Sequence, residues 1–247
     1  QGTPPPVSVD PIERAKALTP QPSAPGGTRL AGDDLLTDLF EAMAERQVTI
    51  DGQSRLLSPT FFVIATQNPI DSHGAYPLPE AQLDRFMFKI LIDYLPEDDE
   101  IAVVDTTTGA ASAVVEPLLT SQDILDFQHI VRLVPVAEEV TRFAVRLVAA
   151  SRPGNDSAPD FIRKWVSWGA GLRASQFLVL GGKVRALLNG RFHVSYEDIR
   201  ALAHPVLRHR IIVNFHAHAE RIDTSRIIGR LLEDVPAPSP PLALSVV

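Results

Sequence analysis

A short α/β segment followed by an all-helical domain is the fold class this sequence predicts, and three observations predict it. Phe61-Phe62-Val63-Ile64-Ala65 is a continuous apolar run without a polar face. That pattern suits a strand buried on both sides, as in a parallel sheet covered by helices. Beyond Pro96 the strand-like runs give way to amphipathic helical periods. Prolines crowd the two ends, with seven of the 21 within residues 1–25 and four more at Pro236, Pro238, Pro240 and Pro241. Proline fixes φ and lacks an N–H donor, so such ends build neither helix nor sheet ladders. The expected organisation is a Pro-rich disordered tail over 1–30, an α/β core over 31–95, a helical domain over 96–235 and a second Pro-rich tail over 236–247.

Each element follows from a local pattern. Leu35, Leu36, Leu39, Phe40 and Met43 lie on one helical face that runs to about Arg46. Gln47-Val48-Thr49-Ile50 switches to alternation and meets Asp51-Gly52, which accepts positive φ, so a hairpin returns through Arg55–Leu57. The run Phe61–Ala65 ends in Thr66-Gln67-Asn68-Pro69, three hydrogen-bonding side chains and a stop. After a loop with Gly74, Pro77 and Pro79 come a short helix at Glu80–Arg85 and a second apolar run, Phe86–Ile92. Thr120-Ser121-Gln122-Asp123 reads as a capping box opening a helix through about Leu133. Val140, Phe143, Ala144, Leu147 and Val148 give the next amphipathic face. Arg173–Leu188 reads as a helix with Phe177, Leu180, Val184 and Leu187 inward and Gly190 as its C-terminal stop. Ser195-Tyr196-Glu197-Asp198 opens another helix, and Asp223–Leu232 supplies the last.

Composition narrows the function. Of 247 residues, 45% are hydrophobic and 21% charged, enough to bury a core and to exclude disorder along the whole length. The chain has no cysteine, which removes disulfides, thiolate metal sites and cysteine nucleophiles, and suits a reducing compartment. No apolar run reaches the ~18 residues of a membrane span, and Gln1–Pro6 is neither basic nor apolar, so no signal peptide is expected. The formal charge of −7 argues against general binding to nucleic acid or anionic membrane. The expectation is a cytoplasmic protein with no nucleic acid partner and no membrane insertion.

Three side chains stand out. Asn68 lies just past a buried strand, where α/β sheets bind ligands; it could hold a phosphate oxygen or a water, or serve as a turn residue before Pro69. Arg85 offers a planar, permanently charged fork suited to phosphate, or a salt bridge to Asp84 or Glu80. Arg173 falls in the first turn of a helix, where a basic group opposes the macrodipole and calls for an anion, either a bound phosphate or a nearby carboxylate. Gly181-Gly182-Lys183 is not a phosphate loop: Val184 stands where that motif needs Ser or Thr, and the segment reads as a helix with two tolerated glycines. His216 and His218 lack a convincing third ligand, so no metal site is expected. His204 and His209 lie among Arg200, Arg208 and Arg210 on what reads as one basic face, solvated or paired with an acidic neighbour.

Together, Phe40-Glu41-Ala42-Met43-Ala44-Glu45-Arg46-Gln47-Val48-Thr49-Ile50-Asp51-Gly52, Phe62-Val63-Ile64-Ala65-Thr66-Gln67-Asn68-Pro69 and Tyr76-Pro77-Leu78-Pro79-Glu80-Ala81-Gln82-Leu83-Asp84-Arg85-Phe86 resemble the MoxR-type AAA+ ATPases. Trp168-Gly169-Ala170-Gly171-Leu172-Arg173-Ala174-Ser175-Gln176 resembles that family's lid signature, as does Ala203-His204-Pro205-Val206-Leu207-Arg208-His209-Arg210. The resemblance covers roughly residues 35–235. It implies a partial AAA+ P-loop-type sheet followed by an all-α helical lid domain. It further implies ATP and Mg²⁺ as cofactors, and a ring, expected to be a hexamer, acting as a chaperone-like remodeller of partners such as von Willebrand A domain proteins. Asn68 matches the sensor-1 residue that orients the attacking water. Arg85 matches the arginine that reaches a neighbouring subunit's nucleotide. Arg173 matches the sensor-2 arginine of the lid. Phosphoryl transfer depends on such positioning and positive charge more than on covalent chemistry.

The family's Walker A loop and acidic Walker B strand end are not found in these 247 residues; counted back from Phe40–Met43, the Walker B acids would fall near Gly26 and Gly27. Asp33 and Asp34 follow no apolar strand. This polypeptide alone is therefore expected to bind ATP weakly or not at all and not to hydrolyse it. Two functions from different classes follow: an ATPase whose intact form hydrolyses ATP as a ring, or a non-enzymatic ring subunit supplying sensor and finger residues to an active neighbour. Without a central strand beside it, Phe61–Ala65 is expected to lack lateral partners, leaving 31–95 looser than 97–235.

Overall fold

The chain divides into two compact units, one reaching Leu57 and the other starting at Ser58. The computed structural model describes residues 32–50, 52–67, 79–109 and 116–236, and for 32–38 the backbone alone. The tail over 1–30, all but Pro236 of the tail over 236–247, Asn68 and the loop through Gly74 and Pro77 lie outside the described residues.

In the first unit the expected helix is α1 (Gly32–Glu45), ended by Arg46 in the left-handed region at φ 54°. The hairpin follows as β1 (Gln47–Ile50) and β2 (Gln53–Leu56), antiparallel with Gln47 opposite Leu56 and Ile50 opposite Gln53. Gly52 takes φ +75°, the backbone freedom the turn requires; Asp51 lies outside the described residues. The Glu41 carboxylate accepts from Gln47 Nε2 (3.1 Å) and Thr49 Oγ1 (2.9 Å), tying hairpin to helix.

The second unit is mostly helical. Its elements are α2 (Glu80–Leu83), α3 (Glu97–Thr108), α4 (Ser121–Leu133), α5 (Glu138–Ala150), α6 (Asp160–Trp165), β3 (Val166–Trp168), α7 (Leu172–Leu188), α8 (Tyr196–Leu207), β4 (Ile212–Val213), α9 (Phe215–Ala219) and α10 (Thr224–Asp234). The expected capping box forms at Thr120 with Asp123 before α4, and a second forms at Ser195 with Asp198 before α8, each supplying side-chain acceptors to otherwise unsatisfied N–H groups of the first turn. Val140, Phe143, Ala144, Leu147 and Val148 of α5 are all buried, as their spacing requires. They belong to a core that starts at Val134 and ends at Leu231. Strands β3 and β4 pair antiparallel through a bulge, Val166 opposite Val213 and Trp168 opposite Ile212.

Two expectations are corrected. The run Phe61–Ala65 forms no strand, and Phe62 and Ile64 are 79% and 77% exposed. The second apolar run, Phe86–Ile92, also lies outside any strand, with Ile92 exposed. A strand exists only where neighbours complete its ladder, and the described residues contain only two two-stranded sheets, neither including these runs. The inward face of α7 is also different. Buried are Ala174, Ser175, Leu178, Gly181, Gly182 and Ala186; the expected Phe177 and Leu187 pack half-buried against the core, while Val184 is exposed. The small residues let α8 and its lead-in approach closely: a Cβ on Gly181 would lie 2.8 Å from Leu202 Cδ1, and one on Gly182 3.3 Å from Ile199 Cδ1 and 2.9 Å from Val194 Cγ1, just ahead of α8. These glycines are thus a packing surface rather than merely tolerated.

Candidate functional site

The start of α7 is held by its lead-in. Gly169 passes so close to the end of α5 that a Cβ there would lie 2.3 Å from the Ser151 carbonyl oxygen, so only glycine fits. The Ala170 amide donates to the buried Ser151 Oγ (3.0 Å), and Arg152 Nε donates to the Ala170 carbonyl (2.8 Å). Gly171 then opens the helix in an extended conformation without a side-chain cap, and no acidic residue occupies the first turn. This places Arg173 at a helix end whose dipole disfavours it. The compensating anion is Asp84: Arg173 Nη1 donates to its Oδ2 at 3.0 Å. Of the two anions open to Arg173 from sequence, the carboxylate fills the role here.

Asp84 also meets Arg210, and sequence reasoning missed that residue. Of the two readings open to its basic face, solvated or paired with an acidic neighbour, Arg210 takes the second, with its side chain 1% exposed. Its Nε donates to Asp84 Oδ1 (2.8 Å), and its Nη2 donates to the carbonyls of Asp84 (2.7 Å) and Phe86 (2.6 Å). Its Nη1 serves the carbonyls of Met87 and Val206, and the guanidinium lies 5.0 Å from the Phe177 ring centroid. Burial lowers the Arg210 pKa, while Asp84 pulls the other way. The adjacent His209 places Nε2 3.0 Å from the Phe86 carbonyl and leaves Nδ1 buried without a partner. Burial, then the charge of Arg210, pushes its pKa down to about 4, so at neutral pH it is uncharged. The Lys89 amide donates to the Pro205 carbonyl (2.9 Å). Residues 84–89 are thereby held beside the C-terminal end of α8, by the Arg210 and His209 side chains on the carbonyls of Asp84, Phe86 and Met87 and by the Lys89–Pro205 main-chain bond. The available signal was Arg210's place before Ile211-Ile212, an apolar setting for a cation.

Arg85 follows Asp84 directly. Its Nε donates to Gln82 Oε1 at 2.8 Å, and it pairs with neither Asp84 nor Glu80 among the described residues. The structure thus brings Arg173, Asp84 and the backbone of Arg85 together, while Asn68 lies outside the described residues. An exposed arginine whose partner is one carboxylate oxygen fits a phosphate oxygen by donor set and charge. No group of three or more His, Asp or Glu among the described residues could hold a metal ion.

A second aspartate cluster differs. Asp198, 1% exposed, takes Arg191 on both oxygens (2.7 and 2.5 Å) and the Ser195 amide and hydroxyl on Oδ2 (both 2.9 Å). Burial alone would raise its pKa, but Arg191 and Ser195 outweigh it and keep it low. Every oxygen is used, so this cluster fixes the start of α8 rather than offering a site.

Comparison with known proteins agrees with the residue pattern. Residues 32–88 match the model of the ATPase family associated with various cellular activities, and residues 163–231 match an AAA lid domain. The chain is 36% identical over 200 residues to Chaperone MoxR1 of Mycobacterium tuberculosis, covering 81% of this chain and 53% of that protein. It is 34% identical over 201 residues to the uncharacterized protein YeaC of Bacillus subtilis, covering 81% and 60%. A crystal structure of a candidate ATPase from Cytophaga hutchinsonii superposes with a TM-score of 0.79 at 34% identity, over 85% of this chain and 63% of that one. The chain therefore spans a little over half the length of the curated relatives it matches. No helix among the described residues is long and apolar enough to cross a membrane. With a core segment and a lid matched in family order, and MoxR relatives aligned over four fifths of its length, the chain belongs to the MoxR-type AAA+ ATPases.

Proposed function

We propose that this chain supplies the sensor and lid side of a nucleotide site in a cytoplasmic, ring-forming AAA+ ATPase that remodels partner proteins, von Willebrand A domain proteins among them. The observation that carries the reading is Arg173, a half-exposed guanidinium at a helix start with an anion as its partner. In this reading Arg173 faces the γ-phosphate of its own subunit's ATP, and Arg85 reaches the nucleotide of the neighbour. Asn68 orients the attacking water. Bound ATP would bring the phosphoryl group and its Mg²⁺; the residues here contribute positive charge and orientation around it. This reading requires an oligomer, because a finger acting in trans needs a neighbour, and the family resemblance implies a hexameric ring.

The test is phosphate release by the assembled full-length protein. Arg173→Ala and Arg85→Ala are each expected to slow turnover by about 10²-fold. In mixed rings Arg85→Ala subunits should impair the wild-type neighbours they adjoin, whereas Arg173→Ala should impair its own subunit's site. Wild-type turnover in Arg173→Ala would overturn the reading. The 247-residue polypeptide assayed by itself is expected to release phosphate at background rate; turnover above background would refute that part.

A further inference from the structure

The two arginines that share Asp84 differ in freedom. Arg210 is buried and five-fold bonded, holding both the carboxylate and the main-chain carbonyl of Asp84. Arg173 is 46% exposed, and its partner is Asp84 Oδ2, on a side chain itself 30% exposed. Asp84 thus keeps its place whether or not Arg173 stays. An exposed ion pair biases an equilibrium by no more than about fivefold, so a phosphate group carrying two negative charges can take Arg173 from it. The Arg210 bonds to Asp84 and Phe86 meanwhile bracket the backbone of Arg85.

We propose that Asp84 is a positioning residue that stands in for a phosphate at Arg173. It holds the guanidinium oriented while no nucleotide is present and releases it when phosphate oxygens arrive. Arg210 meanwhile keeps Asp84, and with it the backbone of Arg85, fixed. One carboxylate thereby links the arginine facing the chain's own nucleotide to the segment carrying the arginine that faces the next. This inference rests on the reading of Arg173 as phosphate-facing.

Calorimetric titration of the full-length protein with ATP and with inorganic tripolyphosphate separates the two ideas. Asp84→Asn removes the competing charge and leaves an oxygen for Arg210, and it should tighten both probes by about two- to fivefold. Arg173→Gln should weaken both, and adding Asp84→Asn to it should then change nothing. If Arg173→Gln has no effect, the phosphate-facing reading fails and this inference with it. If Arg173→Gln weakens binding but Asp84→Asn does not tighten it, this inference alone fails. Because Asp84→Asn also weakens the partner of a buried cation, the wild-type protein provides an independent readout. In ¹⁵N spectra of the guanidinium groups, tripolyphosphate should shift the Arg173 signal and leave that of Arg210 in place. Movement of both signals, or of neither, would overturn the proposal.

Discussion

From Val134 to Leu231 the apolar side chains of the helical region interlock, whereas no described residue from Ser58 to Leu133 is buried. The two stretches do not differ in how apolar their key residues are. Phe143 and Leu147 are fully buried, while Phe62, Ile64 and Ile92 stand mostly in solvent. They differ in what lies opposite. The face of α5 meets α7, α8 and α10, each presenting its own stripe; the runs at 61–65 and 86–92 meet no ladder neighbour among the described residues. An apolar run thus states a demand for burial, and the rest of the fold decides whether that demand is met.

Substitutions on the two sides should separate them sharply. The largest effect is expected for Phe143→Ala, which opens a cavity in the core and should cost about 3–5 kcal/mol in denaturant unfolding; a loss below about 1 kcal/mol would mean the helical core is not the stabilising region. Asp198→Asn comes next, at about 1.5–3 kcal/mol, because it weakens the charge-assisted bonds that the buried carboxylate accepts from Ser195 and from Arg191, itself one-third exposed. Its stabilisation should fade in acid, as pH falls through the lowered Asp198 pKa.

A smaller effect is expected from His209, whose folded pKa of about 4 lies below its usual 6.5. Between those values the unfolded chain binds a proton that the folded chain refuses, so stability should fall as pH drops from about 6.5 to about 4. Unfolding curves for His209→Gln should lose that part of the slope; an unchanged slope would place the titration elsewhere. The smallest effect is expected for Ile64→Ser, within about 0.5 kcal/mol. A large loss there would show that the run is covered after all.

Much of this architecture was legible beforehand, for identifiable reasons. The capping boxes at Thr120 and Ser195, the period of α5 and the hairpin around Gly52 involve residues a few positions apart, so local spacing suffices. Arg173 was legible too, since a cation in an uncapped first turn advertises a missing anion. Arg210 was not. An arginine among histidines and arginines reads as surface until the fold brings the carbonyls of Asp84, Phe86 and Met87 within reach. On α7 the expected Phe177 and Leu187 pack against the core, but Val184 is exposed, and the close approach of α8 buries glycine, alanine and serine beside Leu178.

The sequence by itself determined where the capped helices α4 and α8 start, which face of α5 is apolar, and where the hairpin turns. Those features depend on contacts across one turn of chain. Tertiary structure alone decided which apolar runs are covered, which face of α7 is inside, and that Asp84 is shared by two arginines, one 89 and the other 126 residues away. Burial and ion pairing at such separations depend on how whole helices pack, and no local pattern encodes that.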